Sequence, residues 1–359
     1  MVSSPPLHVV IGGLGNLGRN IQRTLLQQGR SVRVVDAVTD TARISPRLAH
    51  PSSVDYVPCR LGKAASSAET LQSAVRGADT VYTMVTANLH SGTVRQMKDS
   101  NQVGIQQVIE ACRQEGVPKL VHVSSFAVAN HFINYRQANE ETPLPPLESY
   151  QCAYDYTKRR GEALVLEANS ANLKTVSIRS GGILAGVDDY NFASGGIFPQ
   201  IRKSLTWTGA PKDYISAKDL SRALFQASDK LDTSPELQGR PIYASNCRSN
   251  QGVASDAVTR RFTELVGFTP IELSWTFLDH VLIPSMKFGE WLEATLGQKS
   301  PEDLPAFPPS LLVECTRYES TFDNQLGRRL LDYEPEESWE DAVAWIAQEF
   351  RDRHPELYK

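Results

Sequence analysis

The sequence predicts an α/β protein built on a doubly wound parallel sheet, with a smaller domain formed by the C-terminal half. Two observations in the first half support this prediction. Short apolar runs typical of strands alternate with amphipathic stretches of helical period, which is the pattern of successive β-α-β units. A glycine-rich loop also joins the first of these strands to the first helix.

The strand-like runs and the helical patterns follow one another without internal repeats. The predicted strands are 7–11, 31–36, 54–58, 80–85, 119–124 and 173–179. The helical patterns between them include 17–28, 71–75 and 103–115. Strands that alternate with helices in this way form a parallel sheet covered by helices on both faces.

The second half of the chain is less regular, which indicates a second domain. We expect residues 1–185 to form the sheet domain and residues 186–359 to form mainly a substrate-binding domain. The division is discontinuous, because a helix and a strand near 213–245 are predicted to return to the sheet domain. A closing helix is expected at 338–350, with Ser338 and Asp341 as its capping box.

The composition of the 359 residues is that of a globular protein, with 41% hydrophobic and 22% charged residues. A formal charge of -4 gives no basic field for nucleic acid, and no apolar run is long enough for a transmembrane helix. Residues 1–8 lack the features of a signal peptide. The seven histidines form no metal-binding motif. We expect a cytoplasmic protein whose five cysteines are reduced.

The glycine-rich loop has the spacing of a dinucleotide-binding turn. Gly12 permits a tight turn after the first strand, Gly15 lets the backbone approach a pyrophosphate, and Gly18 allows the helix to pack closely. The unpaired N–H groups at the start of the helix, near Asn16 and Leu17, would face the phosphates. This strand–turn–helix context predicts a Rossmann-type cofactor site.

Asp36 ends the second strand about twenty residues after the loop, where a carboxylate accepts hydrogen bonds from the adenosine ribose. A carboxylate there also repels the 2′-phosphate of NADP. Ala37 follows it, and no basic residue is adjacent, so NAD is favoured as the cofactor. Arg43 and Arg60 are near enough in sequence to keep NADP as the less favoured alternative.

Two tyrosine–lysine pairs have the spacing of one helical turn, Tyr154 with Lys158 and Tyr214 with Lys218. Their contexts differ. Tyr154 follows Ser125, at the end of the fifth strand, by about thirty residues and opens an amphipathic helix. Tyr214 lies in a strand-like stretch without such a serine. We therefore assign the catalytic role to Tyr154 and Lys158.

The chemistry explains why these residue types occur together. A phenol is a poor base at neutral pH, and a neighbouring ammonium group favours the phenolate. Tyr154 can then take the proton of an alcohol while a hydride leaves the same carbon. Lys158 would also hold the nicotinamide ribose. Ser125 would hydrogen-bond the substrate oxygen, and Asn101 on the preceding helix would complete a proton relay.

Together these residues resemble the extended short-chain dehydrogenase/reductases. Within them the chain is most similar to the 3β-hydroxysteroid dehydrogenase/isomerase family, which includes the sterol-4α-carboxylate 3-dehydrogenases. The matching segments are 12–18, 77–79, 101–104, 116–119, 121–125, 154–162, 178–183, 213–219, 322–323 and 331–335, together with Leu61. The resemblance covers nearly the whole chain.

The resemblance implies NAD-dependent oxidation of a 3β-hydroxyl, or reduction of the ketone, on a sterol, triterpenoid or related polycyclic lipid. It adds Leu61 to the cofactor-binding residues Gly12, Gly15, Asn16, Leu17, Gly18, Asp36, Tyr154 and Lys158. Three positions depart from the family pattern: Arg60 replaces its aspartate, Thr83 its histidine and Ser180 its proline. Arg60 weakens the expected adenine contacts, and none of the three positions is among the predicted catalytic residues.

Other functions remain open from the sequence. A dehydratase is disfavoured because Ser125 is followed by three apolar residues rather than by acidic ones. A nucleotide-sugar epimerase would need arginines for a second diphosphate. Another small-carbonyl reductase, or a dinucleotide-sensing regulator without chemistry, is a further alternative. Decarboxylation or double-bond isomerisation could accompany oxidation.

The stretch 271–296 is rich in aromatic and aliphatic residues. It resembles the family segment that caps the substrate and can rest on a membrane, whereas the simpler interpretation is a helix packed in the core. On the first interpretation, the substrate is an apolar alcohol or ketone and peripheral contact with an internal membrane is possible. A homodimer is a separate possibility for the assembly.

Overall fold

The computed structural model describes residues 5–44, 47–62, 67–89, 91–129, 131–186, 197–246 and 252–358. A seven-stranded parallel sheet forms its centre. The strands are β1 (Leu7–Ile11), β2 (Ser31–Asp36), β3 (Val54–Pro58), β4 (Ala78–Thr83), β5 (Lys119–Ser125), β6 (Lys174–Ser180) and β7 (Arg240–Ala244). Their spatial order is β7-β6-β5-β4-β1-β2-β3. The predicted α/β class and doubly wound sheet are confirmed.

Helices cover both faces of this sheet. They are α1 (Asn16–Gln27), α2 (Thr41–Ile44), α3 (Ser67–Val75), α4 (Val94–Lys98), α5 (Gly104–Gln114), α6 (Ala153–Glu167) and α7 (Ala217–Lys230). The buried sides of α1 and α7, with Ile21 and Leu224 among them, pack on one face. Apolar residues of α3, α5 and α6, such as Leu71, Ile105 and Val165, pack on the other.

The order of the strands in the sheet determines where a ligand-binding crevice opens. From β1 the chain runs outward to β2 and β3, then crosses to β4, β5, β6 and β7 on the other side. The loops that follow β1 and β4 therefore diverge, and a crevice opens at the carboxyl ends of these strands. This is where open α/β sheets bind their ligands.

A buried ion pair fixes α6 against the sheet. Arg179 of β6 donates from Nε and Nη2 to the carboxylate of Glu162 on α6, at 3.0 and 2.7 Å. The Glu162 side chain is 0% exposed and that of Arg179 is 4% exposed. Because removal of either partner would leave an uncompensated buried charge, this pair strongly specifies where α6 lies.

Smaller sheets and further helices form the remainder. The short strands are Tyr135–Ala138, Gly182–Leu184, Ile197–Phe198, Lys203–Thr206, Pro211–Lys212, Tyr214–Ser216, Val253–Ala254, Thr269–Glu272 and Ser320–Phe322. The helices are α8 (Ser255–Leu265), α9 (Trp275–Phe277), α10 (Ile283–Leu296), α11 (Pro309–Glu314), α12 (Gln325–Leu331) and α13 (Trp339–Arg353). The expected division at residue 185 stays a prediction.

The apolar stretch forms a nearly continuous helix from α9 through a π-helical turn (Leu278–Leu282) into α10. Leu278 and Ile283 are buried, but most of its large apolar side chains are not. Phe277 is 42% exposed, Phe288 59% and Trp291 57%. The segment is therefore a surface helix anchored at few points. Among the described residues, no helix is both long enough and apolar enough to cross a membrane.

Candidate active site

The glycine-rich loop forms a tight turn at the carboxyl end of β1. Gly12 has a φ of +82°, a left-handed conformation that side chains disfavour, and its N–H donates to the Val35 carbonyl at 2.8 Å. A Cβ at Gly18 would lie 2.3 Å from the Gly13 carbonyl oxygen, so only glycine permits this approach. Helix α1 begins at Asn16, and its first turn faces the crevice.

The crevice has room for a dinucleotide. A cleft of about 1040 Å³ is lined by the glycine loop, the ends of β2 and β3 and the segment after β4, including Gly15, Asp36 and Leu61. A Cβ at Gly15 would meet only the Gly12 carbonyl oxygen, at 3.4 Å. Because the loop is open on this side and its helix N-terminus supplies unpaired N–H groups, the residues present fit a pyrophosphate.

Asp36 lies at the end of β2 and lines the same cleft. Its Oδ2 accepts a hydrogen bond from the Leu14 N–H at 3.0 Å, which ties the strand end to the glycine loop. Arg47 donates to the Leu14 carbonyl at 3.2 Å, and Arg60 also lines the cleft. The Arg43 side chain lies outside the described part of the chain. A carboxylate and two arginines thus border the cleft near the ends of β2 and β3.

Ser125 and Tyr154 meet beyond the end of β5. Ser125 is the last residue of the strand, and its Oγ accepts the Ala127 N–H at 3.1 Å. Burial raises the pKa of the Tyr154 phenol, and the Asp155 carboxylate acts in the same direction, whereas the hydrogen bond with Ser125 offsets only part of the rise. The predicted serine and tyrosine therefore lie in contact.

Lys158 lies one turn further along α6 and is 4% exposed. Its Nζ donates to the Val123 carbonyl of β5 at 3.2 Å. Burial lowers the pKa of Lys158 to about 8, although the Glu162 carboxylate acts in the opposite direction. The ammonium group is thus held against the sheet on the inner side of α6.

Asn101 lies in a π-helical turn (Asp99–Val103) that precedes α5, rather than in a regular helix. It is 2% exposed, and its Nδ2 donates to Thr157 Oγ1 at 3.0 Å. A Cβ at Gly161 would lie 2.3 Å from its carbonyl oxygen, so α6 packs directly on this turn. The structure places Asn101 beside Thr157, one residue before Lys158, and the proton relay through it stays a prediction.

A second cavity, of about 190 Å³, lies beside the segment that follows Ser125. Its wall is largely apolar, and Met286 of α10 contributes to it. Phe126, which follows Ser125, and Tyr214 also line it. The Tyr214 hydroxyl donates to the Ser255 carbonyl at 3.5 Å. Tyr214 thus belongs to the wall of this cavity, which sequence spacing did not indicate.

A histidine–aspartate pair joins this cavity to Tyr154. His131 lines the cavity, and its ring centroid lies 6.4 Å from that of Tyr154. Both carboxylate oxygens of Asp155 bind His131, one at Nδ1 (2.6 Å) and one at the backbone N–H (3.0 Å). The sequence analysis missed both residues, although Asp155 directly follows Tyr154, because nothing in the sequence places His131 opposite it.

The fold and the glycine-rich loop together define a Rossmann-type α/β protein, in which a serine, a tyrosine and a lysine come together at the end of β5. The model of the 3-beta hydroxysteroid dehydrogenase/isomerase family matches residues 9–253. The chain belongs to this family, and the predicted resemblance is confirmed.

Two curated relatives and one solved structure illustrate the range of similar proteins. A 4-hydroxy-2-methyl-3-oxo-4-farnesyl-3,4-dihydroquinoline-1-oxide ketoreductase of Stigmatella aurantiaca is 30% identical over 183 residues, 51% of this chain and 52% of the relative. The decarboxylating sterol-4-alpha-carboxylate 3-dehydrogenase of Homo sapiens is 31% identical over 183 residues, 50% of this chain and 45% of the relative. The chain spans about half the length of the curated relatives that it matches at this level.

The solved structure is that of a UDP-glucose 4-epimerase of Thermus thermophilus in complex with NAD. It superimposes with a TM-score of 0.67 at 18% identity and covers 96% of this chain and 99% of the epimerase. At this identity the likeness shows the fold alone, which agrees with the doubly wound sheet described above.

Proposed function

We propose that this protein is an NAD-dependent oxidoreductase that oxidises a 3β-hydroxyl, or reduces the ketone, of a sterol, triterpenoid or related polycyclic lipid. The observation that carries the proposal is the contact between Ser125 and Tyr154 at the end of β5, with Lys158 one turn further along α6. Phe126, which follows Ser125, and His131, whose ring centroid lies 6.4 Å from that of Tyr154, line a largely apolar cavity. Family membership supports the same chemistry.

The residues have distinct parts in this reaction. Tyr154 takes the alcohol proton as the general base, and Ser125 donates a hydrogen bond to the reacting oxygen and steadies its charge. Lys158 lies one turn further along the same helix, and in this proposal its positive charge would favour the phenolate. The side-chain amide of Asn101 donates to the hydroxyl of Thr157, one residue before Lys158. This hydrogen bond joins α6 to the π-helical turn that precedes α5.

The cofactor would be held by the residues of the cleft. Gly12, Gly15, Asn16, Leu17 and Gly18 present the loop and the start of α1 to the pyrophosphate. Asp36 would accept the ribose hydroxyls, Leu61 would contact the adenine, and Tyr154 and Lys158 would face the nicotinamide ribose. When bound, NAD accepts the hydride that leaves the carbinol carbon.

A substrate with a carboxylate β to the new ketone would lose carbon dioxide through the enol. This step needs no additional protein acid, because the ketone itself receives the electron pair. We include it in the proposal for substrates of that kind.

The exposed apolar side of α9 and α10 supports peripheral contact with a membrane. Phe288 and Trp291 stack with ring centroids 5.8 Å apart on the surface, and both are more than half exposed. Aromatic rings on a surface helix are suited to the membrane interface. Because Met286 of α10 also lines the apolar cavity, contact of this helix with a membrane would place the cavity close to the lipid. A homodimer and a cytoplasmic location stay predictions.

A panel assay tests the proposed function. The enzyme would be incubated with NAD and each of several 3β-hydroxy sterols and triterpenoid acids, with NADH formation followed by absorbance and products identified by mass spectrometry. We expect a 3-ketone from at least one substrate, with loss of carbon dioxide where the acid is β to it. Interconversion of UDP-glucose and UDP-galactose without such oxidation would instead indicate an epimerase. Tight NAD binding without any turnover would indicate a regulator.

A further inference from the structure

Lys212 is a buried cation in the wall of the apolar cavity. The residue is 6% exposed, and its Nζ donates to the Cys315 carbonyl at 2.9 Å and to Ser320 Oγ at 3.3 Å. Both acceptors are neutral. Among the described residues, no carboxylate lies within salt-bridge distance of this ammonium group. Burial lowers the pKa of Lys212, as expected for a cation so placed.

His131 lines the same cavity and is held in one orientation. Asp155 engages its Nδ1 and its backbone N–H, and the Asp155 side chain is 0% exposed. None of the hydrogen bonds among the described residues uses Nε2 of His131. Since Nδ1 faces Asp155, Nε2 lies on the opposite edge of the ring, and the edges of Phe126 and Phe307 enclose the ring. A histidine clamped by a carboxylate in this way is oriented for a ligand at its other nitrogen.

The acidic side chains that line the cavity are already engaged. Asp256 receives the Arg260 Nε at 2.6 Å and the Gly209 N–H at 3.2 Å. Asp213 receives the Phe322 N–H at 2.9 Å. These carboxylates therefore have partners of their own within the wall.

The Lys212 ammonium has little compensating negative charge near it. Asp155 acts on Lys212 only through space and hydrogen-bonds His131 instead. Nearby Cys152 and Cys315 add no negative charge near neutral pH, because burial raises the pKa of Cys315 to about 11 and that of Cys152 well above its usual value. Lys212 is thus a buried cation whose hydrogen-bond acceptors are neutral, whereas buried charges are generally paired.

We propose that Lys212 and the Asp155-held His131 form an anion subsite that binds an acidic group of the substrate beside the carbinol on which Tyr154 acts. This inference rests on the proposed function, and it adds that the substrate has a carboxylate or a phosphate.

Equilibrium binding to the enzyme loaded with NADH tests the subsite, because no alcohol can be oxidised in that complex. The probes are a 3β-hydroxytriterpenoid 4-carboxylic acid, its methyl ester, and UDP-galactose as the phosphate source. The variants are Lys212→Met and His131→Phe, with Lys218→Met as a matched control whose exposed ammonium binds Glu337. Melting temperatures would be recorded for every variant.

The wild-type protein should bind the acid at least about tenfold more tightly than the ester. Lys212→Met and His131→Phe should each remove most of this preference while ester binding stays unchanged, and Lys218→Met should keep it. Equal binding of acid and ester by the wild-type protein overturns the subsite without any variant. A preference that survives Lys212→Met also overturns it.

The remaining outcomes separate the subsite from the proposed function. UDP-galactose binding that depends on Lys212, without binding of the lipid acid, would support the subsite and contradict the lipid function. Oxidation of neutral sterols, with no binding of either anion, would support the lipid function and overturn the subsite.

Discussion

At the scale of single residues, the site contains side chains whose buried surroundings disfavour their charged forms, the phenolate of Tyr154 and the ammonium of Lys158. Tyr154 is disfavoured as a phenolate by burial and by Asp155, and Ser125 acts against this effect. Lys158 is buried against β5 with a carbonyl as its hydrogen-bond acceptor. Such perturbed groups are typical of catalytic sites, where bound cofactor and substrate supply the missing partners.

Cofactor choice should depend on Asp36. We expect the wild-type protein to prefer NAD, because the carboxylate repels a 2′-phosphate. Asp36→Ala combined with Ala37→Arg should shift the ratio of NADP to NAD affinity by about tenfold or more, since a repulsion is removed and a phosphate partner is added. Titration with NADH and NADPH measures this ratio. Asp55→Asn, on the exposed end of the neighbouring strand, is the control and should leave it unchanged. Tighter binding of NADPH than NADH by the wild-type protein would refute this assignment.

Lys158 should reduce stability in the absence of cofactor. Its pKa of about 8 in the folded chain lies below that of the unfolded chain, so the unfolded state takes up the proton first as pH falls. The penalty is fully present below about pH 8 and is relieved as pH rises toward the unfolded pKa of about 10.4. Lys158→Met should therefore stabilise the cofactor-free protein near neutral pH, by up to about 3 kcal/mol, and abolish turnover.

Denaturant unfolding at several pH values measures this effect. The gain from Lys158→Met should shrink as pH rises from about 8 and should be nearly gone above about pH 10.4, where both states have lost the charge. Lys218→Met, which removes an exposed ammonium, should change stability little at any pH. A Lys158→Met variant that is less stable than the wild type at neutral pH would show that the buried ammonium is well compensated.

At the scale of elements, α6 combines structure and chemistry. Its inner side bears Glu162, which binds Arg179, and Gly161, which touches the turn of Asn101. Its first turn bears Tyr154 and Asp155, which face Ser125 and His131. The ion pair fixes the helix on the sheet, so the first turn is held at the end of β5, next to His131 in the wall of the apolar cavity.

The helix formed by α9 and α10 provides a test at the same scale. Phe288→Ser and Trp291→Ser remove exposed side chains, so the melting temperature should change little. Binding to liposomes of neutral and anionic lipids should decrease, because the apolar surface is lost. Leu278→Ser is the matched core variant and should cost several kcal/mol of stability, about 2–5 by analogy with other buried leucines.

Co-sedimentation with liposomes and thermal unfolding on the same preparations separate the two roles. Large thermal destabilisation by Phe288→Ser would indicate that the helix is packed in the core instead. Wild-type protein that does not sediment with liposomes would remove the membrane contact from the proposal.

At the scale of the whole molecule, the sequence predicted the sheet, the glycine loop and the helix that bears Tyr154, because each depends on local patterns. The strands at Leu7–Ile11, Ser31–Asp36 and Val54–Pro58 have the predicted bounds, and the capping box of Ser338 and Asp341 is present. The π-helical turn before α5 was not predicted, because its hydrophobic period is close to that of an α-helix.

The cavity could not be predicted, because its wall comes from segments far apart in the chain. His131 meets Asp155 across a buried contact, and Lys212 meets Cys315 across the second half. No spacing rule connects such residues. For the same reason Tyr214, rejected as a catalytic residue on its context, was not recognised as part of the cavity wall.

Turnover by Tyr154→Phe is the measurement that tests the central claim most directly. With NAD and the best substrate of the panel, we expect kcat to fall by about 10²–10⁴-fold or more, because general base catalysis is lost. NADH binding should be nearly unchanged. The controls Tyr156→Phe, on the same helix, and Tyr214→Phe, in the cavity wall, should stay within a few-fold of the wild-type rate. Full activity of Tyr154→Phe, or loss of activity in Tyr214→Phe alone, would contradict the account.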